Sequence, residues 1–167
     1  MAVARSARNS STFRTSTPSD CEILMTRLFD APRPLVFEAM HKPEHIRNWW
    51  GRLGEGYSVP VCEVDFRVGG RWRFINQTPT GERVEFYGEY LDIEAPTRLV
   101  FTEIFAPFPD QPSVVTSTLV EEQGKTRLTV IVKYPSRQVR DMVLSSGMEK
   151  GAALSYDRLE EVAQALA

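Results

Sequence analysis

Between Cys21 and Leu166 the hydrophobic positions change their period, and each change marks an element. The run CEILMTRLF from Cys21 to Phe29 is mostly apolar and is closed by Asp30, Pro32 and Pro34. It predicts a strand that enters a helix carrying proline in its first turn. Leu35, Val36, Ala39 and Met40 form one short helical stripe. Pro43 opens a second short helix running through His45 to Trp49 or Trp50, and Gly51, Gly54 and Gly56 break that pattern into a loop. Strand-like runs then follow at about 59–67, 71–76, 82–93, 98–105, 113–121 and 126–134.

The connections between these runs are short and rich in turn residues, which favours an antiparallel meander over parallel crossovers. Gly69-Gly70 predicts a tight hairpin, after which Trp72 and Phe74 fall on one face and Arg71 and Arg73 on the other. A bulge at Gly88 would bring Val84, Phe86, Leu91 and Ile93 onto a common face. Ser136 to Ser145 suits a helical turn or two, and Met148, Ala152, Tyr156, Leu159, Ala163 and Leu166 give the last helix an apolar stripe. Gly147 is expected in a left-handed conformation ending the preceding turn, and Gly151 is expected where the helix passes close to a neighbour. The sum is an α+β fold: a seven-stranded antiparallel sheet curved around a long C-terminal helix, with two short helices after the first strand.

A chain of 167 residues suits one domain, about 20–167, able to bury a core without disulfides. Residues 1–19 carry Arg5, Arg8 and Arg14 among many Ser and Thr, which reads as a disordered segment, with an organelle transit peptide as the alternative. A formal net charge of −2 with interspersed signs provides no field for nucleic acid or an anionic membrane. Cys21 and Cys62 read as buried thiols of a reducing compartment, and no apolar run has the length of a membrane span. The expectation is a cytoplasmic protein.

Candidate chemistry is sparse. His41-Lys42-Pro43-Glu44-His45 spells H-x-x-E-H, but Pro43 interrupts the helix that would place both imidazoles on one face, so no metal site is expected. No nucleophile elbow or phosphate loop is present, and no catalytic residue is assigned. Asp65 and Arg67 either pair across Phe66 on the surface or point into a cavity as polar anchors. Glu63, Glu85 and Glu103 are lesser candidates, whose isolation in an apolar site would raise their pKa. Trp49 and Trp50 suit core packing or a cavity wall, Phe105 to Pro109 either packs as a loop or gates an opening, and Met142 and Met148 offer adaptable apolar surface.

Several segments together resemble a known family: Arg27-Leu28-Phe29-Asp30-Ala31-Pro32-Arg33 leading to Val36-Phe37, Pro43-Glu44-His45 before Trp49-Trp50-Gly51, Asp65 to Gly70, Gly88-Glu89-Tyr90, Thr126 to Thr129, and Gly147-Met148 through Gly151 to Tyr156-Asp157-Arg158-Leu159. Their joint order resembles the Hsp90 ATPase activator homologue-like branch of the START-like (SRPBCC) superfamily. The resemblance implies a helix-grip fold with a cavity between sheet and final helix, but no single activity. The expected role is binding of a small apolar or amphipathic ligand by Trp49, Trp50, Trp72, Phe74, Phe86, Phe101, Phe105, Met148 and Tyr156, with Asp65 and Arg67 as polar anchors. No cofactor is expected. The alternatives are a chaperone-interacting module and, more weakly, an enzyme using a cavity carboxylate. An exposed strand edge leaves a homodimer open.

Overall fold

The computed structural model describes residues 12–167. Strict alternation in β2 (Glu22–Phe29) buries Ile23, Met25, Arg27 and Phe29 on one face. A short strand, β1 (Arg14–Ser16), precedes it, and the helices α1 (Arg33–His41) and α2 (Pro43–Ile46) follow. The meander continues as β3 (Ser58–Val64), β4 (Arg71–Gln77), β5 (Arg83–Glu94), β6 (Arg98–Phe105), β7 (Ser113–Glu122) and β8 (Lys125–Lys133). Helices α3 (Arg137–Ser145) and α4 (Met148–Ala165) close the chain. The eight strands form one antiparallel sheet in the order β1-β2-β8-β7-β6-β5-β4-β3.

This is the helix-grip architecture with one more strand than the pattern predicts. β1 lies inside the segment expected to be disordered, so that expectation does not hold for Arg14–Ser16; the rest of it, including Arg5 and Arg8, falls largely outside the described residues. Tertiary contacts order the strand. The Phe13 ring lies 6.1 Å from that of Tyr156 on α4, the Thr15 hydroxyl donates to Glu149, and Arg140 Nη1 donates to the Ser19 carbonyl at 2.6 Å.

Two other expectations shift for local reasons. β3 ends at Val64, three residues before Arg67, because Phe66 leaves the ladder to stack on His41 with ring centroids 4.2 Å apart. The connection closes through Gly69 at φ +84°, and a Cβ on Gly70 would sit 2.0 Å from the Asp65 carbonyl oxygen, so only glycine fits there. In β5 the register slips between Tyr90 and Asp92, leaving Leu91 exposed and Tyr90 buried in the place expected for it. Gly88 has a different role: the Thr102 carbonyl oxygen occupies its Cβ position at 1.8 Å. At the helix junction, Gly147 is left-handed as expected (φ +84°). Gly151 meets only Leu53, at 3.8 Å from the position of a Cβ, so close approach does not explain it.

Two apolar clusters form the core. One joins Ile23, Phe29, Leu128 and Val130 of the sheet to Leu159 and Ala163 of α4, and Val36 and Phe37 of α1. The other gathers Ile46, Val59, Cys62, Trp72, Phe74 and Tyr90 at the β3–β5 end.

Charge also crosses from sheet to helix. Arg27, at 1% exposure, sends Nη1 to Asp157 Oδ1 at 2.7 Å and Nη2 to within 3.5 Å of Glu160 Oε2, and its guanidinium lies 4.9 Å from the Phe29 ring centre. Glu160 in turn accepts from the Asp30 amide at 3.0 Å. Removing one partner from such a buried cluster strands an uncompensated carboxylate. Arg27→Ala is therefore expected to cost about 3–5 kcal/mol, read as a melting temperature lower by about 10 °C. A loss comparable to that of an exposed ion pair would show that the cluster does not hold α4 to the sheet.

Candidate ligand-binding cavity

The parity of the strands builds the site. Leu99, Phe101 and Glu103 of β6, Val115 and Ser117 of β7, and Val130 and Val132 of β8 turn the same way, joined by Met25 of β2, Trp72 and Phe74 of β4, and Tyr90 of β5. Met148, Ala152, Ser155 and Tyr156 repeat at helical spacing along α4 and cover them. The helical segment after β2 contributes Met40, Ile46, Trp49 and Trp50. A cavity of about 220 Å³ lies between these layers, where the two core clusters meet.

Of the eleven residues read from the sequence as ligand-binding, seven line this cavity: Trp49, Trp50, Trp72, Phe74, Phe101, Met148 and Tyr156. Trp49 also belongs to the core, its Nε1 donating to the Ala39 carbonyl at 2.8 Å. Trp50 stands edge-on to Phe74, with centroids 5.1 Å apart. Phe86 does not line the cavity but packs behind Trp50 at 5.4 Å. Phe105 is 37% exposed, its ring tilted against those of Phe86 and Phe108 outside the cavity, so neither of the two aromatics of the 105–109 segment reaches the lining as a gate. Asp65 and Arg67 pair with each other at 2.9 Å on the surface of the hairpin, both more than half exposed, which corrects their reading as cavity anchors.

The polar group inside is Glu103. Glu63 and Glu85 both face Arg73 on the other side of the sheet, whereas Glu103 shares the parity of Leu99 and Phe101 and so turns inward. That parity was the signal in the sequence that singles it out from the other two. Burial pushes its carboxyl up to about 7, with no cationic group among the described residues to oppose the shift. Tyr134 and Tyr156 also line the cavity, and burial followed by the charge of Glu103 raises both phenols. Ser155 is engaged otherwise, accepting from the Gly51 amide at 3.2 Å.

The remaining reactive side chains have structural roles. His41 and His45 sit on separate helices, because Lys42 is extended (φ −81°, ψ 125°) between them. His41 Nδ1 lies 2.8 Å from the Phe37 carbonyl, and burial lowers its pKa. Burial pushes the Cys62 thiol up to about 11, leaving it protonated at neutral pH.

The family model for "Activator of Hsp90 ATPase homolog 1-like protein" matches residues 30–164. Among solved structures, a protein from Rhodobacter sphaeroides superposes with a TM-score of 0.83 at 24% identity, covering 93% of this chain and 99% of that one. One from Nitrosomonas europaea gives 0.79 at 20% identity over 90% and 98% of the two chains. An AHSA1-like protein from Aeromonas hydrophila gives 0.66 at 19% identity over 86% and 93%. At these identities the superpositions establish the fold. No curated protein matches the sequence.

Glu103 should make stability fall as pH rises. Below about 4.5 the group holds its proton in both the folded and the unfolded chain; between 4.5 and about 7 only the folded chain keeps it, and above that the full cost of burying the carboxylate is present. Glu103→Gln is expected to recover no more than about 3 kcal/mol above neutral pH and almost nothing at acid pH. Thermal melts of both proteins across this range test it. A gain that does not change with pH would mean that Glu103 does not titrate in the folded protein near neutrality.

Proposed function

This chain belongs to the family of activator of Hsp90 ATPase homolog 1-like proteins, and on that premise we propose that it binds a small amphipathic molecule between its sheet and α4. The observation that carries the reading is the cavity itself: twenty residues line it, eight of them aromatic and one a carboxylic acid. A mostly apolar lining with a few polar groups, here one of them a carboxylic acid, is the usual makeup of a small-molecule site, where apolar area supplies affinity and the polar groups set orientation. The cavity's volume is about 220 Å³. By proportion to an engineered 150 Å³ cavity that holds benzene, it suits a ligand of about nine heavy atoms.

Filling the cavity tests the proposal. Ala152 faces it from α4, so Ala152→Phe places a ring in the ligand's volume while keeping the helix. Native mass spectrometry and titration with hexanol, read by fluorescence of the lining tryptophans, are expected to show uptake by the wild type and none by the variant, with no loss of melting temperature. Equal uptake by both proteins would place the ligand elsewhere.

A chaperone-binding role, drawn from the family's description, is the second reading, and the exposed Phe105 and Phe108 favour it. Paired aromatics on a surface are characteristic anchors of protein interfaces. On that reading a pull-down with an Hsp90-type chaperone succeeds with the wild type and fails with the Phe105→Ser, Phe108→Ser variant. Retention of neither protein removes it.

A further inference from the structure

Resting on the proposal that the cavity takes a ligand, we infer that this ligand is a small organic cation, an aromatic or alkyl ammonium whose nitrogen is held by Glu103. The cavity's lining is one-sided in charge: among its twenty residues there is one carboxylate and no lysine, arginine or histidine. The Glu103 carboxyl group has no hydrogen-bond or ion-pair partner among the described residues, and burial accounts for its raised pKa. Other acids of the fold are answered by arginine, as Asp157 and Glu160 are by Arg27 and Glu85 by Arg73. An unpaired carboxyl withdrawn from water either keeps its proton or draws a counter-charge to itself, and the counter-charge we infer is the ligand's.

The walls agree with a cation. Trp50, Trp72, Phe74, Phe101 and Tyr156 present aromatic rings, whose negative faces attract an ammonium and its adjacent methylenes. An anionic ligand would meet Glu103 with no counter-charge, and a neutral one would leave the carboxylate as costly as before.

Binding should therefore depend on the ionisation of Glu103. The titratable groups that face it are Tyr134, from the segment following β8, and Tyr156 of α4, whose raised phenols stay protonated through the neutral range. Arg27 also acts on Tyr156, but is itself paired with Asp157 and Glu160.

Benzylamine, benzyl alcohol and benzoate are nearly isosteric and differ in charge, so calorimetric or NMR titration of the full chain with all three separates charge from shape. At about pH 8 benzylamine is expected to bind at least tenfold tighter than benzyl alcohol, because only the amine brings a counter-charge to the carboxylate, and benzoate is expected to bind most weakly. Benzylamine affinity should fall on moving to about pH 5.5, where Glu103 is protonated, while that of benzyl alcohol does not. Glu103→Gln should make the amine and the alcohol bind equally; if that variant does not fold, the pH dependence of the wild type carries the test. Equal binding of amine and alcohol at about pH 8 would overturn the ammonium assignment and leave the cavity's binding role intact. Failure of all three to bind would overturn both.

Discussion

The fold depends on a buried positive charge placed where a hydrophobic residue would ordinarily stand. Arg27 occupies an inward position of β2, on the same face as Ile23, Met25 and Phe29, and its charge is compensated because α4 brings Asp157 and Glu160 to it. The pairing specifies which face of the helix meets the sheet, since rotating α4 would bury Arg27 without a counter-ion. Leu159 and Ala163, on neighbouring positions of the same face, then enter the core, and Glu160 ties the start of the chain's first crossover through the Asp30 amide. An apolar stripe can slide along an apolar sheet at little cost; an ion pair excluded from water cannot.

With that end of α4 anchored, its first turns lie over the other part of the sheet, where the packing is incomplete. Met148, Ala152 and Tyr156 pack against the edge of the core, Tyr156 edge-on to Phe29 at 5.9 Å, and also line the cavity that remains between helix and strands. The same helix thus serves two purposes along its length, a closed core near Leu159 and an open one near Ala152. The small side chain at Ala152 is what keeps space there, and the left-handed Gly147 sets the direction in which the helix begins.

Within this arrangement Glu103 and Arg27 are opposites. Each is a charged residue at an inward strand position, but Arg27 meets its counter-charges within the chain and Glu103 does not. Tyr156 lies between the two, its phenol shifted by both. The structural ion cluster and the cavity carboxyl are consequently neighbours in one layer between sheet and helix, the former paired within the chain, the latter turned to whatever occupies the cavity.

Periodicity alone determined most of the architecture. The alternation of Trp72 with Phe74 and of Leu99 with Phe101, the turn residues between strands, and the stripe from Met148 to Ala163 specify strands, meander and closing helix, because each is a local property of the chain. Strand parity also placed Trp72, Phe74 and Phe101 on the sheet's covered side, and helical spacing placed Met148 and Tyr156 on the face that meets it. Tertiary structure decided the rest. β1 has no apolar pattern of its own and exists through Phe13, Thr15 and the neighbouring Arg140 contact. Phe66 is drawn off its strand by His41, and the bulge settles at Leu91 where the register with β6 slips, leaving Gly88 to make room for the Thr102 carbonyl. Parity on β6 turns Glu103 inward with Leu99 and Phe101, but that it is left without arginine while Glu63 and Glu85 meet Arg73 follows from partners on other strands, and a charged residue carries no mark in the sequence of the neighbour that folding will bring to it.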